Sequence, residues 1–163
     1  MIRVVILSIV LLTSLSTLAQ QSSETPRAVY TAAQADAGER DFKVNKFGVC
    51  SSCHGAGLVG RKGDAGELPP LNSLSEDYQQ LIRGNSGKVP QLVGPEFVAR
   101  WSTRSTKDLT DEFKGRFDPP LTEEIRLNLI AYLLKANGAQ PGTQPLTVST
   151  NIEIRSLLGN PGK

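Results

Sequence analysis

The sequence contains few of the side chains that most often bind metals or act in catalysis. Its 163 residues include one histidine, His54, two cysteines, Cys50 and Cys53, and one methionine, Met1. With a single histidine, the chain cannot assemble a two-histidine metal motif such as His-Glu-x-x-His. A structural zinc site needs four nitrogen or sulfur ligands, and the histidine and the cysteines supply only three. A Gly-rich phosphate-binding loop is also missing.

A large excess of one charge is absent as well. The chain has 18 basic and 16 acidic residues, and loss of an amino-terminal segment that contains Arg3 would leave 17 basic residues against the same 16. Proteins that bind nucleic acid usually carry a strongly basic surface. The sequence therefore predicts no nucleic-acid partner.

The amino terminus has the pattern of a secretory signal. Arg3 supplies a positive charge, an apolar stretch follows from Val4 to Leu12, and the segment ends in small residues at Ala19. The apolar stretch is shorter than the roughly 20 residues of a spanning helix, although an uncleaved anchor is the alternative. We predict a signal peptide over residues 1–19, a flexible arm over 20–30, and no stable membrane span after cleavage.

The segment Cys50-Ser51-Ser52-Cys53-His54 has the spacing that attaches a c-type haem. Two thiols three residues apart can each add to a vinyl group of one porphyrin, and the histidine can bind the iron. A thioredoxin-like redox site needs a βαβ context, and nothing strand-like precedes Cys50. A disulfide across two residues is strained and leaves His54 unexplained. Haem c is thus the predicted cofactor, one per chain, with a redox disulfide as the alternative.

The rest of the chain favours helices, and the predicted fold class is all-α. Caps, helical spacing and glycine or proline stops predict five helices, at 31–46, 75–82, 95–101, 105–114 and 123–137. Residues 55–72 are rich in Gly and Pro and are predicted to form a loop. The tail from 141 to 163 is predicted to be loose, with a helical turn or two near 152–158.

Three segments in family order resemble a class I monohaem cytochrome c. They are the helix with Gly38 and Phe42, the Cys50–His54 motif, and the helix with Leu129 and Tyr132. The resemblance implies a small helical domain over residues 31–142, wrapped around one covalent haem, followed by a tail over 143–163. It also implies that the two terminal helices cross at the glycine, where the missing side chain lets the backbones approach closely.

A narrower similarity runs from Val93-Gly94-Pro95-Glu96-Phe97 and Trp101 to Asn137-Gly138. This region is similar to the cytochrome domains that accompany bacterial quinoprotein alcohol dehydrogenases. The similarity implies redox protein partners, a quinoprotein dehydrogenase or a terminal oxidase among them. Since haem c is assembled outside the inner membrane in bacteria, the resemblance also implies an exported, periplasmic protein.

The resemblance assigns further roles around the haem. His54 would donate its second ring N–H to the carbonyl of a proline, for which Pro69 and Pro90 are the candidates. Trp101 would either bind a haem propionate through its indole N–H or pack in the core. The segment Phe117-Asp118-Pro119-Pro120 stands where the family has Met-Pro-Pro.

The sixth iron ligand is the position at which this chain departs most from the family. The only methionine is removed with the signal, and there is no second histidine. The alternatives are an open or water-bound iron closed by Phe117, a lysine such as Lys107 or Lys114, or Asp118. Loss of the methionine predicts a lower haem potential.

The predicted function is periplasmic electron transfer by one covalently attached haem c with a non-methionine or vacant distal position. We predict an electron carrier rather than an enzyme, with at most a weak peroxidase-like activity. The two alternatives are a five-coordinate haem that binds or senses small ligands, and an accessory haem subunit of an oxidoreductase. The site residues are Cys50, Cys53 and His54, and the metal ligand is His54.

Overall fold

The computed structural model describes residues 28–43, 50–62, 70–84, 86–114 and 120–158. These described residues are mostly helical, as predicted. The helices are α1 (Ala32–Lys43), α2 (Cys50–His54), α3 (Glu76–Gly84), α4 (Pro95–Trp101), α5 (Thr106–Glu112) and α6 (Glu123–Ala136). The predicted signal peptide and residues 20–27 of the predicted arm lie outside the described residues. Within the described part of the chain, no helix combines the length and apolarity needed to cross a membrane.

Two short elements were not predicted from the sequence. Strands β1 (Arg61–Lys62) and β2 (Lys88–Val89) pair antiparallel, with Arg61 opposite Val89 and Lys62 opposite Lys88. Strands of two residues are too short to show the alternation of apolar and polar residues by which strands are recognised. The expected loop over 55–72 therefore contains β1, and it ends in a 3₁₀ turn at Leu71–Ser73.

The helices begin where their capping residues predict. The Thr31 hydroxyl accepts from the Gln34 backbone N–H at 3.2 Å, and Ser105 and Asp108 form a reciprocal capping box ahead of α5. The Thr122 side chain accepts from Ile125 N–H at the start of α6. Pro95 occupies the first turn of α4, where its missing N–H costs nothing. These local contacts fix the starts of four helices.

Helices α1 and α6 cross at Gly38, as predicted. A Cβ added to Gly38 would lie 1.9 Å from the backbone oxygen of Asn128 and 2.9 Å from the nitrogen of Leu129. One turn further along α1, the rings of Phe42 and Tyr132 pack with their centroids 5.6 Å apart. The glycine thus meets the backbone of α6 directly, while Tyr132 packs on the neighbouring phenylalanine. The crossing is closer than any residue with a side chain allows.

Helix α6 is the centre of the hydrophobic core. Every residue from Leu127 to Leu134 is buried, which is why the helix has apolar residues around most of its circumference. The buried residues of the main core cluster come from α1, α4, α5, α6 and residues 139–157, together with Val29, Tyr30, Leu58 and Leu121. None of them lies in α2, α3 or the strands, although Cys50 of α2 packs against the cluster. Ile82 of α3 and Val89 of β2 are buried outside that cluster.

The predicted loose tail is wrong for residues 143–158. Residues 139–158, here called the carboxy-terminal strap, return across the molecule, and Leu146, Ile154 and Leu157 are almost fully buried. The Gln34 side chain donates to Leu146 O at 3.0 Å and accepts from Leu146 N–H at 2.7 Å. The predicted helical turn near 152–158 is present as a 3₁₀ turn at Ile154–Ser156.

The strap is also tied to α5 and to the residues ahead of α1. Thr106 donates its hydroxyl to Thr150 O at 2.8 Å, and its backbone N–H donates to Ile152 O at 2.9 Å. Tyr30, predicted to end the flexible arm, is fully buried and donates its hydroxyl to Ala139 O at 2.5 Å. Burial raises the pKa of Tyr30 to about 12. Residues 28–30 and 143–158, outside the predicted domain range of 31–142, therefore pack with the described residues inside it.

Candidate functional site

The predicted haem motif forms its own short helix. α2 spans Cys50–His54, so the two cysteines lie three residues apart and share one side of the helix. Gly55 follows with a φ of 76°, the left-handed conformation that ends many helices, and its N–H donates to Ser51 O at 2.9 Å. Both cysteines and His54 are half-buried. The three side chains are thus presented from one turn of backbone at the edge of the core.

His54 is held by the backbone of a distant proline. Its Nδ1 lies 3.0 Å from the carbonyl oxygen of Pro90, 36 residues further along the chain. Because a carbonyl only accepts hydrogen bonds, Nδ1 carries the proton in this contact. A histidine anchored in this way presents Nε2 as the basic nitrogen that can bind a metal. Of the two prolines proposed from the sequence, Pro90 makes the contact, and Pro69 lies outside the described residues.

The loop that follows α2 packs against the segment that contains Pro90 and so positions the Pro90 carbonyl. Gly60 N–H donates to His54 O at 2.8 Å, and Leu92 N–H donates to Leu58 O at 2.8 Å. A Cβ on Gly60, whose φ is 71°, would lie 2.4 Å from Val89 O, so only glycine permits this approach. Strand pairing of β1 with β2 continues the contact.

A side chain at the end of α6 fixes the loop after Pro90. Asn137 donates to Leu92 O at 2.9 Å and accepts from Gly94 N–H at 3.0 Å. The sequence marks Asn137 only as the end of a helix before a glycine, which is a frequent pattern with no functional content. Its second role in positioning the proline loop was missed, and no local signal could have revealed it.

The cysteine chemistry argues against a redox disulfide. The pKa of the Cys50 thiol is raised to about 11, and burial is the largest cause. The thiol is therefore protonated at neutral pH, whereas exchange sites of the Cys-x-x-Cys type depend on a lowered thiol pKa. The raised pKa therefore disfavours thiol exchange at Cys50.

Trp101 packs in the core, which is one of the two roles predicted for it. The indole is 5% exposed, and the guanidinium carbon of Arg104 lies 4.3 Å from the ring centroid. Arg100 approaches the same ring at 5.4 Å, and its guanidinium pairs with Glu112 at 3.1 Å. The packing role is confirmed, and the hydrogen bond to a propionate stays a prediction.

The structure describes only two of the candidates for the sixth iron ligand, Lys107 and Lys114. Phe117 and Asp118 lie outside the described residues. Lys107 pairs with Asp111, and hydrogen bonding and charge from that carboxylate raise the pKa of the lysine. A lysine must lose its proton to bind a metal, so this pairing disfavours Lys107. Lys114 lies exposed just beyond α5.

Neither a cluster of metal-ligating side chains nor a similarity to known proteins identifies the site. Among the described residues, no group of three or more His, Cys, Asp or Glu side chains could hold a metal ion by itself. Comparison of the chain with protein-family models, with curated proteins and with solved structures found no match. The arrangement of Cys50, Cys53, His54 and Pro90 therefore carries the functional argument.

Proposed function

We propose that the protein carries one haem c, attached through thioether bonds from Cys50 and Cys53, with His54 Nε2 as the proximal iron ligand. The observation that carries the proposal is the hydrogen bond from His54 Nδ1–H to Pro90 O at 3.0 Å. A metal-binding histidine almost always donates its other N–H to such an acceptor, which fixes the ring and raises its basicity. Any half-buried histidine needs a hydrogen-bond partner, and here the bonded histidine directly follows two cysteines at the spacing that attaches haem c.

The donor set fits this cofactor better than it fits any other group the sequence allows. Each protonated thiol can add across a vinyl double bond, with sulfur bonding to one carbon and the hydrogen passing to the other. A thiol whose pKa is raised by burial remains protonated for such an addition. When bound, the haem supplies a one-electron couple at its iron.

The surrounding residues suit a carrier rather than a catalyst. Cys50 packs against the main hydrophobic core, so a group attached to it borders apolar side chains that exclude water on that side. The Pro90 carbonyl orients His54 but takes no part in proton transfer. We therefore propose electron transfer as the function, in the periplasm of a bacterium and with redox proteins as partners, a quinoprotein dehydrogenase or a terminal oxidase being the proposed classes.

A second candidate function follows from the sixth ligand. The one histidine is committed to the proximal side, and Lys107 is paired with a carboxylate. An iron without a strong sixth ligand can bind small molecules such as CO or NO. Small-ligand binding is therefore the alternative to outer-sphere electron transfer.

Absorption spectra with and without CO are expected to separate the two functions. The full chain would be produced with a bacterial haem c maturation system, and spectra of the ferric and ferrous forms would be recorded. A carrier is expected to give a low-spin spectrum that CO leaves unchanged. A high-spin ferrous form that binds CO rapidly would replace electron transfer with ligand binding, and absence of haem absorption would contradict both.

A further inference from the structure

Leu58 has a backbone conformation that leucine rarely adopts. Its φ is 62°, in the left-handed region, where the Cβ of an ordinary residue lies too close to the backbone. Gly55 and Gly60, on either side of it in the same loop, have φ values of 76° and 71°, which glycine adopts readily. A residue with a side chain keeps such a conformation only where the surrounding structure enforces it, and such residues cluster at functional sites.

Burial of the Leu58 side chain opposes the cost of this conformation. The side chain is 2% exposed and belongs to the main hydrophobic core, whereas the next residue, Val59, is 57% exposed. Burial of an apolar side chain is favourable and a left-handed leucine backbone is not, so the two effects oppose each other at one residue. Alanine would keep the cost of the backbone and lose most of the burial, whereas glycine would lose both.

Both backbone polar groups of Leu58 are hydrogen-bonded beside the motif. Its N–H donates to Gly55 O at 3.0 Å, in the turn that follows His54. Its carbonyl accepts from Leu92 N–H at 2.8 Å. Leu92 lies two residues after Pro90, whose carbonyl oxygen is 3.0 Å from His54 Nδ1. This short proline segment is therefore held at one end by the histidine ring and at the other end by the Leu58 carbonyl.

We propose that Leu58 is a positioning residue for His54. Its buried side chain keeps the left-handed backbone in place, its carbonyl then fixes Leu92, and this contact sets the distance from the Pro90 carbonyl to the histidine ring. The inference rests on the proposed function and adds to it a residue that acts on the iron through another side chain. A stronger hydrogen bond from Nδ1–H makes His54 a more basic ligand, which favours ferric iron because ferric iron carries one more positive charge. Leu58 therefore keeps the haem potential below the value that a loosely held histidine would give.

Variants of the haem-loaded full chain separate positioning from packing. Leu58→Ala keeps the cost of the left-handed backbone without the burial, so the loop is expected to relax and the histidine–proline hydrogen bond to lengthen. At a fixed ambient potential, its ratio of ferrous to ferric protein should rise about threefold, a rise of about 28 mV in midpoint potential for a one-electron couple. Leu58→Gly, which adopts the left-handed conformation freely, should keep the wild-type ratio, as should Val59→Ala, the matched change at the exposed neighbour.

The pattern of these ratios distinguishes a positioning residue from one that only fills the core. Alanine and glycine both leave a cavity, so a residue that only packs would destabilise both variants and leave their potentials equal. Entry of water at the haem would lower the ratio, because water favours the ferric form. Equal ratios in Leu58→Ala and Leu58→Gly, or a lowered ratio in Leu58→Ala, would overturn the positioning role. Should Leu58→Ala fail to fold, Leu58→Ile keeps the apolar volume but fits a left-handed backbone worse, and its ratio should rise in the same way.

Amide hydrogen exchange provides a second measurement, which does not depend on the potential. The Leu92 N–H bonds to the Leu58 carbonyl, so it should exchange about tenfold faster in Leu58→Ala than in the wild type, and at the wild-type rate in Val59→Ala. Leu92 exchange that Leu58→Ala leaves unchanged would overturn the inference while the proposed function stands. If the wild-type chain acquires no covalent haem, the proposed function fails and this inference fails with it.

Discussion

Replacement of Gly38 by alanine is expected to destabilise the protein by about 3 kcal/mol, the upper end of the usual cost of overpacking a core. The added Cβ would lie 1.9 Å from Asn128 O and 2.4 Å from its carbonyl carbon, and both are backbone atoms that cannot turn aside. Helices α1 and α6 would have to separate, which would also loosen the packing of Phe42 on Tyr132. The change in free energy of unfolding would be measured by urea denaturation.

Gly84→Ala is the matched control for this prediction. Gly84 ends α3, and a Cβ there would meet no atom within 4 Å. Alanine at such a position is expected to leave stability unchanged or raise it by about 0.5 kcal/mol, since it restricts the unfolded chain. Equal stability of the Gly38→Ala variant and the wild type would show that the helices do not cross as closely as the structure has them.

Replacement of His54 by glycine is expected to remove the proximal ligand while the two thioether bonds keep the haem in place. The Soret band of the variant should shift away from its wild-type wavelength, because the chain has no other histidine that could replace the lost iron ligand. Added imidazole should restore it by occupying the space that the side chain leaves. The measurement is a spectroscopic titration of both proteins with imidazole.

The outcome of this titration shows whether His54 is a ligand of the haem iron. A His54→Gly spectrum identical to that of the wild type would contradict the assignment of His54 to the iron. Failure of imidazole to restore the spectrum would contradict the view that the Pro90 carbonyl prepares a site for an imidazole ring, since free imidazole can donate to the same oxygen.

The parts of the fold that depend on neighbouring residues were predictable from the sequence. Thr31, Ser105 and Thr122 cap their helices through hydrogen bonds within three residues, and Pro95 starts α4 through its fixed φ. The cysteines and His54 are likewise a local pattern. Such signals are read directly because each contact is formed by residues close together in the chain.

The strap could not be predicted because its stability comes from distant side chains. The segment is polar and contains two prolines, and its almost fully buried side chains Leu146, Ile154 and Leu157 are separated by many polar residues. Their burial depends on Gln34 and Thr106, which hydrogen-bond the strap backbone from more than 40 residues away. Composition alone describes such a segment as loose, and only the tertiary structure reveals the partners of its backbone.

The same limitation applies to the candidate site. The sequence predicted a proline carbonyl for His54 but left Pro69 and Pro90 equivalent, because the choice depends on how the loop after α2 meets the segment after β2. Asn137 approaches the proline loop from the end of α6, and no local pattern marks that position as part of the site. Three residues of the site were thus readable from the motif, and the residues that position them were not.

The mass of the purified chain under denaturing conditions tests covalent haem attachment most directly. After production with a haem c maturation system, the wild-type chain is expected to have the mass of the polypeptide plus one haem. The Cys50→Ala/Cys53→Ala variant should have the polypeptide mass alone, while Ser51→Ala/Ser52→Ala should retain the haem. A wild-type chain with the mass of the polypeptide alone would contradict the assignment of Cys50, Cys53 and His54 to a haem.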